Sequence, residues 1–139
     1  MSSSQTAIQS RIEAVFAPLG IEIGFSATHL PTGQSVAINP ATLFPTASVY
    51  KIPVMVEVYH QVDQGRFKLS DRLPLANPQR VIGSGVLQKL NTGLQPTIRD
   101  LAMLMIIISD NTATHILQEL VGSANIEATM RRLGLADIH

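Results

Sequence analysis

The chain has no cysteine among its 139 residues. That excludes disulfides, thiolate chemistry and cysteine-based zinc sites, and it leaves the redox compartment open. Charge is scarce as well: charged side chains make up 14%, with 10 basic and 10 acidic groups and a formal net charge of +0 at pH 7. So balanced a chain has no electrostatic grip on nucleic acid or on an anionic membrane. The longest strongly apolar run, Leu101 to Ile108, is too short to span a bilayer. The N-terminus, Met1-Ser2-Ser3-Ser4-Gln5-Thr6, has neither the basic region nor the apolar core of a signal peptide. Two alternatives follow: a protein that is not exported, or one whose signal has been removed. There is no repeat, low-complexity tract or heptad pattern. His29 lies beside a turn, His60 at a helix end and His139 at the terminus, so no zinc-ligand spacing and no cofactor site emerges.

Hydrophobic residues, at 45%, suffice for one domain with a sizeable core. Ile8, Ile12, Val15, Phe16 and Leu19 form a helical stripe, which predicts an amphipathic helix over about residues 4–17, ended by Pro18 and Gly20. Ile21, Ile23, Phe25 and Ala27 then alternate with polar or small residues, and Val36 and Ile38 resume the pattern after a turn at Leu30-Pro31-Thr32-Gly33. A hairpin with one face on the first helix is expected. Two strands alone are marginal, so the pattern asks for a larger sheet.

Beyond Asn39-Pro40 the character becomes helical. This divides the chain into residues 1–40, a helix and hairpin, and residues 41–139, a helical cluster. Residues 48–64 read as a helix ending at Gly65, despite a β-branched run and strain expected at Pro53. Leu73 to Pro78 reads as an extended loop and Val86 to Leu90 as a short helix. Thr97 and Asp100 form a capping box for Leu101 to Ile108, a helix apolar on every face and so expected at the domain centre. The methionines read as core filler. Arg99 is expected to pair locally. Further helices are predicted from about Thr112 to Leu120 and, capped by Ser123, through Ile126, Met130 and Leu133.

Chemistry concentrates at Ser48-Val49-Tyr50-Lys51. Three apart on a helix, a hydroxyl and an amine share a face about 5–6 Å apart at Cβ. A neutral lysine, its pKa pulled down by burial, could take the serine's proton and make it a nucleophile. The plain alternative is a helix cap followed by a snorkelling lysine, but Lys51 lies in a segment that reads as buried. Ser109-Asp110-Asn111, at the end of the apolar helix, is either a turn and cap or a hydroxyl and an amide held on a rigid support.

Both clusters, in this order, resemble class A β-lactamases and the wider group of penicillin-recognising serine enzymes, marked by S-x-x-K, S-D-N and K-T-G. Phe44-Pro45-Thr46-Ala47-Ser48, Gly83-Ser84-Gly85-Val86-Leu87 and Thr97-Ile98-Arg99-Asp100-Leu101 also look like family stretches. The resemblance covers essentially the whole chain but only the N-terminal part of the family's domain. It implies an α/β (α+β), β-lactamase-like fold with the remainder of the antiparallel sheet absent. It further implies Ser48 as acylated nucleophile, with its backbone N–H in the oxyanion hole, Lys51 and Ser109 as proton relays, and Asn111 as a ligand for the substrate's side-chain amide.

The substrate implied is a β-lactam or related acyl compound, handled outside the cytoplasmic membrane, in the periplasm or after secretion. Three departures stand out. The chain has no K-T-G and no Glu-bearing deacylation loop, and His115 stands where family members usually carry an Asn that ties that loop down. His115 is therefore either a half-exposed helix residue or an altered loop anchor. The chain alone is expected to turn over little or nothing. Two alternatives stay open: a DD-peptidase or other serine hydrolase, and a non-catalytic fragment that associates with, or swaps into, a second chain or a missing C-terminal segment.

Overall fold

The computed structural model describes residues 3–135. The chain divides into two compact units, Met1–Pro45 and Thr46–His139. In the first, α1 (Ser3–Phe16) is closed by a 3-10 turn, Ala17–Leu19, where Pro18 removes a donor and Gly20 turns left-handed. β1 (Phe25–His29) and β2 (Gln34–Ile38) pair antiparallel, Phe25 opposite Ile38 and His29 opposite Gln34. β2 packs against α1 and buries Ile38.

The first strand starts later than the alternation from Ile21 predicts. Asn39, at φ 48, turns β2 away from the ladder, so residues 21–24 have no strand to pair with. The Asn39 side chain supplies a substitute, donating to Ile23 O at 2.8 Å. Ala41 to Pro45 belong with this unit because the Phe44 ring lies against Gly24, 2.5 Å from where a Cβ would stand.

The second unit gathers α2 (Lys51–Asp63), α3 (Ile98–Ile107), α4 (Asn111–Val121) and α5 (Ser123–Arg132). A 3-10 turn, Ala47–Tyr50, leads into α2. The α-helix proper therefore begins at Lys51, and Pro53 falls in its first turn, where no intrahelical donor is needed. This removes the strain expected at Pro53. Val54 and Val58 are buried against the other helices, and their packing overrides β-propensity. Between α2 and α3, Leu73 N–H donates to Pro96 O at 3.0 Å and Leu75 N–H to Leu94 O at 2.8 Å. These bonds flank a bridge between Arg72 and Thr97 where an extended loop was expected. The predicted helix at Val86 to Leu90 is only a 3-10 turn, Leu87–Lys89.

α3 departs most from expectation. Ile98, Leu101, Ala102 and Met105 are buried, but Met103, Ile106, Ile107 and Ile108 are exposed, Ile107 by 68%. Within its unit only one face of this apolar helix is central, because α4 and α2 pack on one side of it and no described residue of that unit covers the other. Full burial of a Leu or Ile is worth roughly 1.5–3 kcal/mol over exposure, so the uncovered face contributes little. Met105 and Met130 fill the core, whereas Met103 does not. Ser123 is not the cap of α5: the N-cap is Gly122, and Ser123 Oγ accepts from Gln118 Nε2 at 3.1 Å. The Arg99 side chain is exposed, and its charge acts on the neighbouring Asp100 carboxylate. Among the described residues no helix is long and apolar enough to cross a membrane.

The Thr97 box forms as expected, with Asp100 N–H donating to Thr97 Oγ1 at 3.1 Å and Thr97 N–H to Asp100 Oδ2 at 3.0 Å. Those hydrogen bonds hold the Asp100 carboxyl below its ordinary range. Thr97→Ala is expected to lower unfolding free energy by about 1 kcal/mol in a urea titration. Because the folded pKa is the depressed one, the carboxylate's contribution is present above the ordinary Asp pKa and is lost as pH falls through the folded value. Asp100→Asn should remove that part of the acid limb.

Candidate active site

Two backbone events build the site. At the start of α2, Ser48 is the second residue of the 3-10 turn and Lys51 the first of the helix. Ser48 is exposed, while Lys51 beneath it is only 2% exposed. The Ser48 N–H is among the donors that a helix start leaves without an internal acceptor. Between α3 and α4, Ser109 adopts φ 55 and Asp110 caps α4. Ala47, just before Ser48, is also left-handed at φ 45. Non-glycine residues held this way cost on the order of 1–3 kcal/mol and collect at functional sites.

The two events meet at Lys51. Its Nζ donates to Ser109 O at 2.6 Å, Ser109 Oγ at 2.7 Å and Asn111 Oδ1 at 2.9 Å. That uses all three ammonium protons. Ser48 Oγ lies 2.8 Å from Ser109 Oγ. Ser48, Lys51, Ser109 and Asn111 are thus brought together. Between side chains, the path from Ser48 to Lys51 runs through Ser109: the Nζ hydrogen bonds go to Ser109 and Asn111, and none goes to Ser48 Oγ. Burial pushes the Lys51 amine below the ordinary lysine range, and the nearby Asp110 carboxylate partly opposes that.

Asp110 was read from the sequence only as part of a turn or cap, and the structure gives it more. It is wholly buried; Oδ1 accepts from Ala113 N–H at 2.9 Å, and Oδ2 from Val86 N–H at 2.7 Å and Leu87 N–H at 2.9 Å. One carboxylate therefore joins the α4 start to the Gly83–Leu87 segment. Gly85, at φ 106, lies so close that a Cβ would collide with Asp110, and a Cβ on Gly83 would stand 2.5 Å from Asn111 Nδ2. The signal available in the sequence was the Gly-Ser-Gly triplet, whose glycines permit this approach.

Ser48 is thus hydrogen-bonded to a second serine, Ser109, which accepts from the buried Lys51 amine. A model of the β-lactamase enzyme family matches residues 7–139. The chain belongs to this β-lactamase family. A solved β-lactamase from Sphaerobacter thermophilus is similar to it at a TM-score of 0.84 and 38% identity, over 96% of this chain and 49% of that one. A mutant of PBP-A, solved as an acyl-enzyme complex with penicillin G, is similar at a TM-score of 0.86 and 30% identity, over 93% of this chain and 50% of that one. The β-lactamase regulatory protein BlaB of Streptomyces cacaoi is 28% identical over 121 residues, 86% of this chain and 38% of that protein. The chain therefore spans about half the length of these solved structures and less of the curated relative.

In this β-lactamase-family chain, His115 stands one helical turn beyond Asn111 on α4. It is half-exposed, with Nε2 3.5 Å from Glu119 Oε1. His29 Nδ1 meets Thr32 Oγ1 at 2.8 Å, and His60 Nε2 meets Gln64 and Arg132 at 2.8 and 3.0 Å. No cluster of three or more His, Asp or Glu that could hold a metal occurs among the described residues.

Asp110→Ala would leave three backbone donors without acceptors. Each buried orphan costs roughly 1–3 kcal/mol, so the variant should be destabilised by about 3 kcal/mol or more in urea unfolding. A loss under about 1 kcal/mol would show that water reaches these groups.

Proposed function

We propose that the full-length protein carrying this chain hydrolyses β-lactams through an acyl-enzyme on Ser48. The observation that carries this reading is the hydrogen-bonded series Ser48 Oγ, Ser109 Oγ, Lys51 Nζ. With Lys51 neutral, its lone pair faces Ser109 Oγ, so Ser48 can lose its proton to Ser109 as Ser109 passes one to Lys51. Ser48 Oγ then bonds to the lactam carbonyl carbon, the carbon–nitrogen bond breaks, and the proton returns through Ser109 to the leaving nitrogen. The free N–H of Ser48 supports one half of an oxyanion hole. The second donor, expected from a strand near K-T-G, is not in this sequence.

Asn111, anchored through Oδ1 on Lys51, serves as the ligand for the substrate's side-chain amide. His115 acts as the altered anchor for the loop that bears the deacylating Glu. Family membership also supports a protein that works in the periplasm or after secretion.

A second reading is a penicillin-binding DD-peptidase that acylates and releases slowly; the similarity to PBP-A favours it. The lifetime of the adduct separates the two.

Intact mass after mixing the full-length protein with penicillin G should show an adduct on Ser48 or rapid hydrolysis, and nitrocefin turnover should fall by on the order of 10⁴-fold or more in Ser48→Ala. Residues 1–139 alone should turn over little or nothing. Because burial lowers the Lys51 pKa, the neutral amine accumulates at lower pH than for a free lysine. Acylation should accordingly rise with pH through that lowered value, and Lys51→Met should lose the limb. Full activity of Ser48→Ala would end the reading.

A further inference from the structure

Arg80 brings a positive charge into the segment between α2 and α3 with no carboxylate to meet it among the described residues. Its guanidinium is satisfied by oxygens instead. Nη1 donates to Gln88 O at 2.7 Å, and Nη2 to Leu90 O at 2.5 Å and Thr92 Oγ1 at 3.1 Å. Its Nε is buried without a partner. A buried orphan donor is unfavourable, and a native structure that retains one calls for a reason.

The reason lies in what the guanidinium straddles. Its acceptors stand eight and ten residues along the chain, so the contact closes a ring around the Gly83-Ser84-Gly85 turn. Inside the ring, Gln88 Nε2 donates to Gly83 O and, at 3.4 Å, to Gly85 O. The other side of the turn presses on the site: Ser84 O accepts from Asn111 N–H at 3.0 Å, and Gly83 leaves no room for a Cβ beside Asn111 Nδ2. Lys51 holds one end of the Asn111 amide at 2.9 Å, whereas Nδ2 has only a 3.5 Å contact with Ile82 O. That end depends on the turn.

We propose that Arg80 is a positioning residue: by clasping the carbonyls of Gln88 and Leu90 it seats the Gly83–Gly85 turn against Asn111 and sets how the Asn111 amide meets substrate. This rests on the reading of Asn111 as a substrate ligand. Ser48, Lys51 and Ser109 take their places from the α2 entry and the α3–α4 junction, and Asp110 ties that junction to Val86 and Leu87 rather than to the Gly83–Gly85 turn, so losing the clasp acts first on binding.

The test uses the full-length protein with Arg80→Met and Arg80→Lys, read by hydrogen exchange and by acylation with a fluorescent penicillin. In Arg80→Met, exchange should quicken in peptides covering residues 83–90 and 110–112 and stay unchanged in α5. The half-saturating penicillin concentration should rise on the order of tenfold, within the roughly 100-fold that a 1 Å misplacement can cost, while the limiting acylation rate stays within about twofold. Arg80→Lys keeps the charge without the two-carbonyl grip and should resemble Arg80→Met. Unchanged exchange at 83–90 and 110–112 would overturn the proposal. So would faster exchange throughout α2 and α5, or a fall in limiting rate with half-saturation unmoved. If the wild-type protein takes no penicillin at all, the acyl-enzyme reading falls separately, and the exchange pattern alone decides whether Arg80 braces Asn111.

Discussion

Ser109 sits at φ 55, a conformation unfavourable for an L-residue, and in it both of the residue's oxygens face Lys51 Nζ, at 2.6 and 2.7 Å. Everything chemical in the second unit follows from that bend. It puts a hydroxyl between Ser48 and Lys51, converting two neighbours on one helix entry into a three-member hydrogen-bonded series. It also starts α4 at once, so that Asn111 returns toward the same amine. A relaxed backbone at residue 109 would carry the chain past Lys51.

The bend is held from behind. Asp110 spends its buried carboxylate on three backbone N–H groups, binding α4 to the Gly83–Leu87 segment, and Thr114 Oγ1 returns a hydrogen bond to Asp110 O at 2.7 Å. The same carboxylate opposes the burial that depresses the Lys51 pKa. The two requirements pull against each other: the fold is best served by an anion at Asp110, and proton acceptance by an amine that burial keeps from being fully charged. Stability is surrendered at the site in the left-handed residues and the buried amine, and it is recovered in the helix packing below.

Much of this was legible in the sequence where local chemistry decides the outcome. Thr97 and Asp100 are a cap whose geometry needs nothing beyond four residues. Ser48 and Lys51 share a face by helical periodicity alone. What could not be read is set by contacts distant in sequence. The exposed face of α3 depends on which elements pack there, and an apolar run carries no record of that. The late start of β1 depends on Asn39, fourteen residues beyond Phe25. Ser109 as intermediary between Ser48 and Lys51 depends on a φ that serine rarely adopts, which no propensity announces. Asp110 was legible as the cap of α4, but Arg80 and the hold of Asp110 on Val86 and Leu87 were not, because each acts through backbone groups, and backbone partners leave no pattern in side-chain identities.

The central claim is that Lys51 is an amine whose pKa burial has lowered, held against Ser109 in readiness to take a proton. The chain has just three lysines, Lys51, Lys68 and Lys89. Titration of 13C-labelled lysine side chains by NMR therefore reads the claim directly. One of three Cε resonances should titrate clearly below the other two and should disappear in Lys51→Met. Three resonances titrating together near the ordinary lysine value would contradict the account.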